Sequence, residues 1–163
     1  FAKLKKSNPE KNIKYEVAGE GPFRKKIKAL IHKLDLQNDV NLRGNLDHKK
    51  INKFLSKIDV YINLPEKESF GVAVLEASAA EIPVIVSDVG GLPEVVIHGE
   101  TGLILNRNKK SEIVDAMNSF LVKDKKTIKM GVNGKQFVSR RYSWKNSVRI
   151  MTDNYKKILN NGY

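Results

Sequence analysis

The chain has 163 residues, a length typical of a single domain with its own hydrophobic core. Its apolar fraction is 40% and it contains no cysteine, which excludes disulfides and thiolate metal sites. The formal net charge is +12, but the aromatic content of 7% and the lack of a helix-turn-helix or zinc-finger motif argue against a nucleic-acid-binding protein.

Helical and strand patterns alternate through the first third of the chain. In chain order they predict the end of a helix at 1–7, a strand at 13–18, a helix at 23–34, a strand at 39–43 and a helix from the N-cap Asp47 to about Lys57. The turn from Gly19 to Pro22 follows the first of these strands, and Gly44 ends the second.

The central stretch predicts a strand, a polar loop, a helix and another strand. The strand covers 58–62, the loop 63–69, the helix 70–80 and the second strand 83–87, before Gly90-Gly91 breaks the chain. We expect Ser69 to be the N-cap of the helix, so that the amides of Phe70, Gly71 and Val72 remain free. Such a helix end attracts phosphate, and Gly71 allows a ligand to approach the backbone closely. Glu76, four residues after Val72, then lies within reach of a ribose.

The last third of the chain is mostly helical. It predicts a short helix at 93–97, a turn at 99–102, a strand at 103–105, helices at 110–122 and 125–142, and a last helix at 144–159 capped by Ser143. We expect Trp144 to be a packing anchor. The residues expected to face inward from the last helix are Val148, Met151, Tyr155 and Ile158.

This alternation predicts an α/β fold with a parallel sheet and helices on both of its faces. In such sheets ligands bind beyond the carboxyl ends of the strands. The turns at 19–22, 44–46, 63–69 and 88–91 all follow strands, so we expect them to converge on one site.

The segment Glu68-Ser-Phe-Gly-Val-Ala-Val-Leu-Glu76 resembles the Glu-x7-Glu signature of the retaining family 4 glycosyltransferases. Three further segments agree in type and order: Gly19-Glu20-Gly21-Pro22, Gly90-Gly91-Leu92-Pro93-Glu94 and His98-Gly99-Glu100-Thr101-Gly102-Leu103. The glutamate pair alone is a weak signal, whereas the ordered set is a strong one.

The resemblance implies a Rossmann-like, doubly wound parallel sheet that forms one half of the two-domain glycosyltransferase B fold. Residues 1–163 match its C-terminal, nucleotide-sugar-binding domain. In the family this domain opens with a strand that carries an Arg and a Lys for the diphosphate, and Phe1–Ser7 matches only the helix after it. We therefore expect an N-terminally truncated chain whose first strand is missing, which leaves the strands at 13–18 and 58–62 with unpaired edges.

The resemblance also implies roles for the candidate site residues. Glu68 is the expected catalytic residue, beside the hydroxyls of the donor sugar, and Glu76 accepts hydrogen bonds from the ribose. The donor diphosphate lies near Ser69, Phe70, Gly71 and Val72. Gly19 and Gly21 line the cleft, and the backbone of Leu42, Arg43, Gly44 and Asn45 faces the base. The open alternatives are solvent-facing acids near a helix start and ordinary turn glycines.

No cofactor or metal is predicted besides the nucleoside diphosphate sugar, which is a substrate. His32, His48 and His98 lack the spacing of metal ligands, and there is no Asp-x-Asp pair for a nucleotide-bound cation. We take these histidines to be surface or turn residues.

The function implied is retaining transfer of a sugar to a glycan or lipid-linked acceptor, which is bound by an N-terminal domain outside this chain. The expected setting is cell-surface polysaccharide synthesis in the cytoplasm, either away from the membrane or at its inner face, and the chain alone is expected to be inactive. The alternatives are a non-catalytic nucleotide-binding or scaffold module and half of a sugar-nucleotide epimerase. The lysine clusters fit solvated helix faces or peripheral contact with anionic lipid; they are Lys3, Lys5 and Lys6, then Lys49, Lys50, Lys53 and Lys57, then Lys123, Lys125, Lys126 and Lys129.

Overall fold

A computed structural model describes residues 1–160. The helices are α1 (Ala2–Ser7), α2 (Arg24–Lys33), α3 (His48–Leu55), α4 (Val72–Ala79), α5 (Leu92–Val95), α6 (Lys110–Ser119), α7 (Lys125–Arg141) and α8 (Trp144–Asn160). The strands are β1 (Tyr15–Ala18), β2 (Val40–Gly44), β3 (Tyr61–Asn63), β4 (Val84–Ser87) and β5 (Gly102–Leu105). Each predicted helix and strand is present, with ends that differ by a few residues.

All strand pairs are parallel. β1 pairs with β2, and β4 lies between β3 and β5. Because the strands of each sheet run in one direction, the carboxyl ends of β3 and β4 meet at one edge, and those of β1 and β2 meet at another. The turns that begin at Gly19, Gly44, Leu64 and Asp88 follow these ends, as predicted.

The core is built on β4, whose four residues are all buried. Val84 and Val86 pack with residues of α3, α4 and α5, among them Leu55, Val74 and Leu92. Ile85, which points to the opposite face, packs with residues of α6 and α7: Ala116, Phe120 and Met130. Helices therefore cover both faces of this sheet, which confirms the predicted α/β architecture.

The sheet is interrupted between β1 and β3. Within residues 1–160, β1 pairs only with β2, β3 pairs only with β4, and no ladder joins the two groups. Tyr15 of β1 is one of the groups that raise the pKa of the Tyr61 hydroxyl in β3, after burial and the charge of Glu76. The break lies where the sequence predicted unpaired strand edges.

Two predictions about helices are wrong. The N-cap of α4 is Gly71, with φ +92°, and not Ser69, so the helix begins two residues later than expected. The predicted inward face of α8 is exposed: Trp144 is 87% accessible, and Val148, Met151, Tyr155 and Ile158 are each more than half accessible. Periodicity identifies an apolar stripe on a helix, but it does not show what covers that stripe.

Candidate functional site

The segment from Glu68 to Gly71, which we call the 68–71 turn, leads from β3 into α4. The Glu68 carboxylate folds back onto it, and its Oε1 accepts hydrogen bonds from the amides of Phe70 and Gly71, both at 3.2 Å. These amides are therefore not free, contrary to the sequence-based expectation. A carboxylate satisfies them because the start of a helix presents unpaired N–H donors and a partial positive charge.

Glycines allow the backbone that follows β4 to approach this turn. The Gly91 amide donates to the Glu68 carbonyl at 3.2 Å. A Cβ on Gly90 would lie 1.8 Å from the Glu68 carbonyl oxygen, and one on Gly91 would lie 2.5 Å from that of Ser69. Gly71 faces α5, since its Cβ would lie 2.7 Å from Leu92 Cδ2. Only glycine fits at these contacts, so Gly90-Gly91 fixes the position of the turn.

Both glutamates of the signature contribute to the raised pKa of Tyr61, the first residue of β3. Burial raises the pKa of the Tyr61 hydroxyl, with further contributions from the charges of Glu76 and Glu68. Glu76 is half-buried on α4, and its Oε1 lies 3.8 Å from Nδ1 of the exposed His48. The charges of both carboxylates thus affect Tyr61, and Glu76 lies next to the start of α3.

The tips of β1 and β2 carry the other residues that the sequence predicted for the donor site. The Gly19 amide donates to the Gly44 carbonyl at 2.7 Å, and both glycines have positive φ angles of +131° and +72°. A Cβ on Gly44 would meet only the flexible end of the Glu20 side chain, at 2.8 Å from Oε1, so the positive φ rather than space favours glycine here. Gly21 and Asn45 lie in the turns that follow these tips, and Gly21 has open space around it.

Arginines near these tips are engaged by acids. Arg24 forms an ion pair with Glu20, and its Nη2 donates to the Leu42 carbonyl at 3.3 Å. Arg43 forms an ion pair with Glu16, and this contact lowers the pKa of that carboxyl. The Leu42 carbonyl, expected to face a base, is thus partly occupied by Arg24.

Sequence reasoning missed Tyr61 and Tyr142. The Tyr142 hydroxyl donates to the Glu94 carbonyl at 2.7 Å, and its ring meets Phe70 edge-on at 5.6 Å between centroids. Nothing in the local pattern distinguishes either tyrosine from an ordinary core residue. The signal lies in tertiary contacts that join segments far apart in the chain.

Within residues 1–160, no group of three or more His, Asp and Glu side chains is placed to hold a metal ion. His98 has a structural role, since its Nδ1 accepts a hydrogen bond from the Ile104 amide at 3.0 Å.

The family profile described as "Glycosyl transferases group 1" matches residues 1–137. The chain belongs to this family. It is 31% identical over 133 residues to N-acetyl-alpha-D-glucosaminyl L-malate synthase of Bacillus anthracis, which covers 82% of the chain and 34% of that enzyme. It is 28% identical over 136 residues to a GDP-mannose-dependent phosphatidylinositol monomannoside mannosyltransferase of Mycobacterium tuberculosis, covering 78% of the chain and 35% of the relative.

Solved glycosyltransferases share the fold of this group 1 chain. A glycosyltransferase from Rickettsia africae superposes with a TM-score of 0.87 at 23% identity, over 99% of the chain and 44% of that protein. Anabaena HepE, in complex with UDP and glucose, superposes with a TM-score of 0.81 at 21% identity, over 89% of the chain and 41% of HepE. The chain spans about a third of the length of the curated relatives it matches.

Proposed function

We propose that this group 1 chain is the donor-binding half of a retaining glycosyltransferase, which transfers a sugar from a nucleoside diphosphate sugar to a glycan or lipid-linked acceptor. The observation that carries the proposal is the placement of the signature pair: Glu68 holds the amides of Phe70 and Gly71 at the start of α4, and Glu76 lies one helical turn further along α4. HepE, a structural neighbour, binds UDP and glucose, which supports a nucleotide-sugar donor.

The 68–71 turn is proposed to receive the donor phosphates. The Glu68 carboxylate holds the amides of Phe70 and Gly71. The donor diphosphate carries two negative charges and more acceptor oxygens than a single carboxylate, so it takes over these two donors together with that of Val72. The released Glu68 carboxylate then accepts hydrogen bonds from the hydroxyls of the donor sugar. Ser69 contributes to the same turn.

Glu76 is proposed to bind the ribose, because it lies one helical turn beyond the amides at the start of α4. Gly19 and Gly21 line the cleft, and the backbone from Leu42 through Arg43 and Gly44 to Asn45 faces the base. For the Leu42 carbonyl to reach a base, the Arg24 guanidinium has to move away from it.

Neither glutamate acts as a conventional general base in this proposal. The acceptor hydroxyl attacks the anomeric carbon on the face that the diphosphate leaves, so the C–O bond to the acceptor forms as the bond to the phosphate breaks. The departing phosphate oxygen accepts the hydroxyl proton, and the configuration at the anomeric carbon is retained. The protein supplies positioning and charge stabilisation at the phosphates.

The acceptor is proposed to bind to a second domain of the whole protein. The exposed apolar stripe of α8, with Trp144 at its start, supports a covering partner. We further propose that the protein takes part in the synthesis of cell-surface polysaccharide on the cytoplasmic side. Its lysine clusters would attach it peripherally to anionic lipid. Among the described residues, no helix is both long and apolar enough to cross a membrane.

A titration of the ¹⁵N-labelled chain with UDP, GDP and ADP, and with one sugar conjugate of each, tests the donor site. We expect the amide resonances of Phe70, Gly71 and Val72 to shift with at least one nucleotide, and we expect a different end point for its sugar conjugate. Failure of all six ligands to shift these resonances would favour a scaffold module. Conversion of the bound sugar to its epimer would favour the epimerase alternative.

A further inference from the structure

Tyr142 occupies the junction between α7 and α8, and it contacts two separate parts of the candidate site. Its ring lies edge-on to that of Phe70, with centroids 5.6 Å apart. Its hydroxyl donates to the Glu94 carbonyl of α5 at 2.7 Å. One side chain thus connects the end of α7 with the 68–71 turn and with the helix that supports this turn.

The contact with α5 matters because α5 and the residues before it pack against the 68–71 turn. Gly90 and Gly91, which precede α5, lie against the carbonyls of Glu68 and Ser69. Leu92, the first residue of α5, lies beneath Gly71. Tyr142 therefore fixes the turn directly through Phe70 and indirectly through α5.

The position of Tyr142 is itself fixed from α7. Its ring packs edge-on against Phe137 at 6.0 Å, and the Arg141 guanidinium lies 5.9 Å from its centroid. It also packs against the core cluster that contains Leu92 and Val95. A ring held by several neighbours loses little further freedom when it supports Phe70, which suits it to positioning.

We infer that Tyr142 is a positioning residue of the donor site, which sets the place of the Phe70 and Gly71 amides from the α7–α8 junction. This inference rests on the proposed function for its link to nucleotide binding.

The test compares Tyr142→Leu, which removes the ring, with Tyr142→Phe, which keeps the ring and removes only the hydroxyl. The readouts are the Phe70 and Gly71 amide chemical shifts without ligand and the dissociation constant for UDP, or for GDP or ADP if the chain prefers it. We expect Tyr142→Leu to shift both amides and to raise the dissociation constant about threefold to tenfold, the change that loss of one aromatic pair produces. Tyr142→Phe should retain most of the affinity.

Phe137→Leu is the matched control. It removes the other ring that packs on Tyr142, from the same helix, without touching Phe70. It should lower the melting temperature about as much as Tyr142→Leu does but reduce the nucleotide affinity less, because Tyr142 keeps its hydrogen bond to Glu94 and its contact with Phe70. Equal loss of affinity in the two Leu variants would show that Tyr142 is merely structural and would overturn the inference.

The two proposals fail in different ways. If the wild-type chain binds none of the nucleotides, the proposed function fails. The amide chemical shifts of Phe70 and Gly71, measured without nucleotide, then show by themselves whether Tyr142 positions the turn. If nucleotides bind but Tyr142→Leu leaves both those shifts and the affinity unchanged, the inference about Tyr142 fails and the proposed function stands.

Discussion

Glu68 and Glu76 belong to one sequence signature, but the structure gives them different surroundings. Glu68 accepts from two backbone amides of the 68–71 turn, whereas Glu76 stands on α4 with its Oε1 3.8 Å from Nδ1 of His48. Removal of each carboxylate should therefore affect different parts of the donor.

Glu76→Ala should weaken a nucleoside diphosphate and its sugar conjugate alike, by about tenfold to a hundredfold, because a charged acceptor of the ribose is lost. Glu68→Ala should weaken only the sugar conjugate, since the bare diphosphate gains the two amides that Glu68 had held. Titration calorimetry or NMR of both variants with both ligands measures this. Equal losses for both ligands in both variants would mean that the two glutamates act as one structural unit.

Gly90 tests how tightly the 68–71 turn is held. Gly90→Ala should lower the free energy of unfolding by roughly 3 kcal/mol or more, because its Cβ meets the Glu68 carbonyl and its φ of +52° disfavours alanine. Gly99→Ala is the control, with φ +79° and open space, and should cost only roughly 1–2 kcal/mol. Urea unfolding measures both, and similar values would show that the turn yields to the added methyl group.

At the scale of the elements, the N-cap of α7 is an ionisable residue, Asp124. The Asp124 carboxylate accepts from the Thr127 amide at 2.8 Å, and this hydrogen bond lowers the pKa of Asp124. A carboxyl whose pKa is lower in the folded state stabilises the fold above its ordinary pKa. That contribution disappears as the pH falls through the lowered value.

We therefore expect the wild type to lose more thermal stability than Asp124→Asn when the pH falls from about 6 to about 3. Asparagine keeps the acceptor for the Thr127 amide but does not titrate. Melting curves of the two proteins across this range give the difference. Parallel pH profiles would show that the charge of Asp124 adds nothing to the cap.

Local patterns predicted most elements of this chain. Alternating residues gave β1, the run of β-branched residues gave β4, and Asp47 was correctly predicted as the N-cap of α3, where it accepts from the Lys49 amide at 2.9 Å. Ser69 was the wrong N-cap for α4, because the left-handed conformation of Gly71 ends the loop two residues later. Whether α8 is covered depends on groups distant in sequence, and periodicity carries no information about them.

The candidate site likewise has features that follow from the local sequence and features that depend on tertiary contacts. The positive φ angles of the turn glycines and an acid at the start of α4 follow from local requirements that the sequence shows, whereas the donor-binding roles of these residues stay predictions. The folding of Glu68 onto its own turn and the contact between Tyr142 and Phe70 could not be predicted, since both depend on side-chain rotamers and packing.

For the molecule as a whole, a net charge of +12 favours anionic ligands at long range, but two arginines beside the tips of β1 and β2 are paired with acids. Arg24 is paired with Glu20 and Arg43 with Glu16. We expect UDP to bind with a dissociation constant near the millimolar range, about −4 kcal/mol, because the turn supplies mainly amide donors.

Raising the salt from about 0.05 M to about 0.5 M should weaken this binding severalfold, since long-range attraction is screened. Uridine, which has no phosphate, is the control and should be insensitive to salt. Submicromolar binding of UDP would mean that a cation leaves its acid and joins the phosphates.

The break between β1 and β3 has a consequence for how the molecule opens. Between residues 8 and 54 only Leu36 and Gly44 are buried, whereas both core clusters are built from the rest of the chain. With no ladder across the break, the layer of β1, α2 and β2 can unfold as a separate cooperative unit while β3, β4 and β5 remain folded.

Hydrogen exchange should then show two levels of protection, with the amides of Val17 and Asn41 exchanging much faster than that of Ile85. Uniform protection would mean that the chain opens as one unit. If the two levels of protection differ, the tips of β1 and β2 unfold far more often than α4 does. A bound nucleotide would then slow hydrogen exchange most in the less stable layer of β1, α2 and β2.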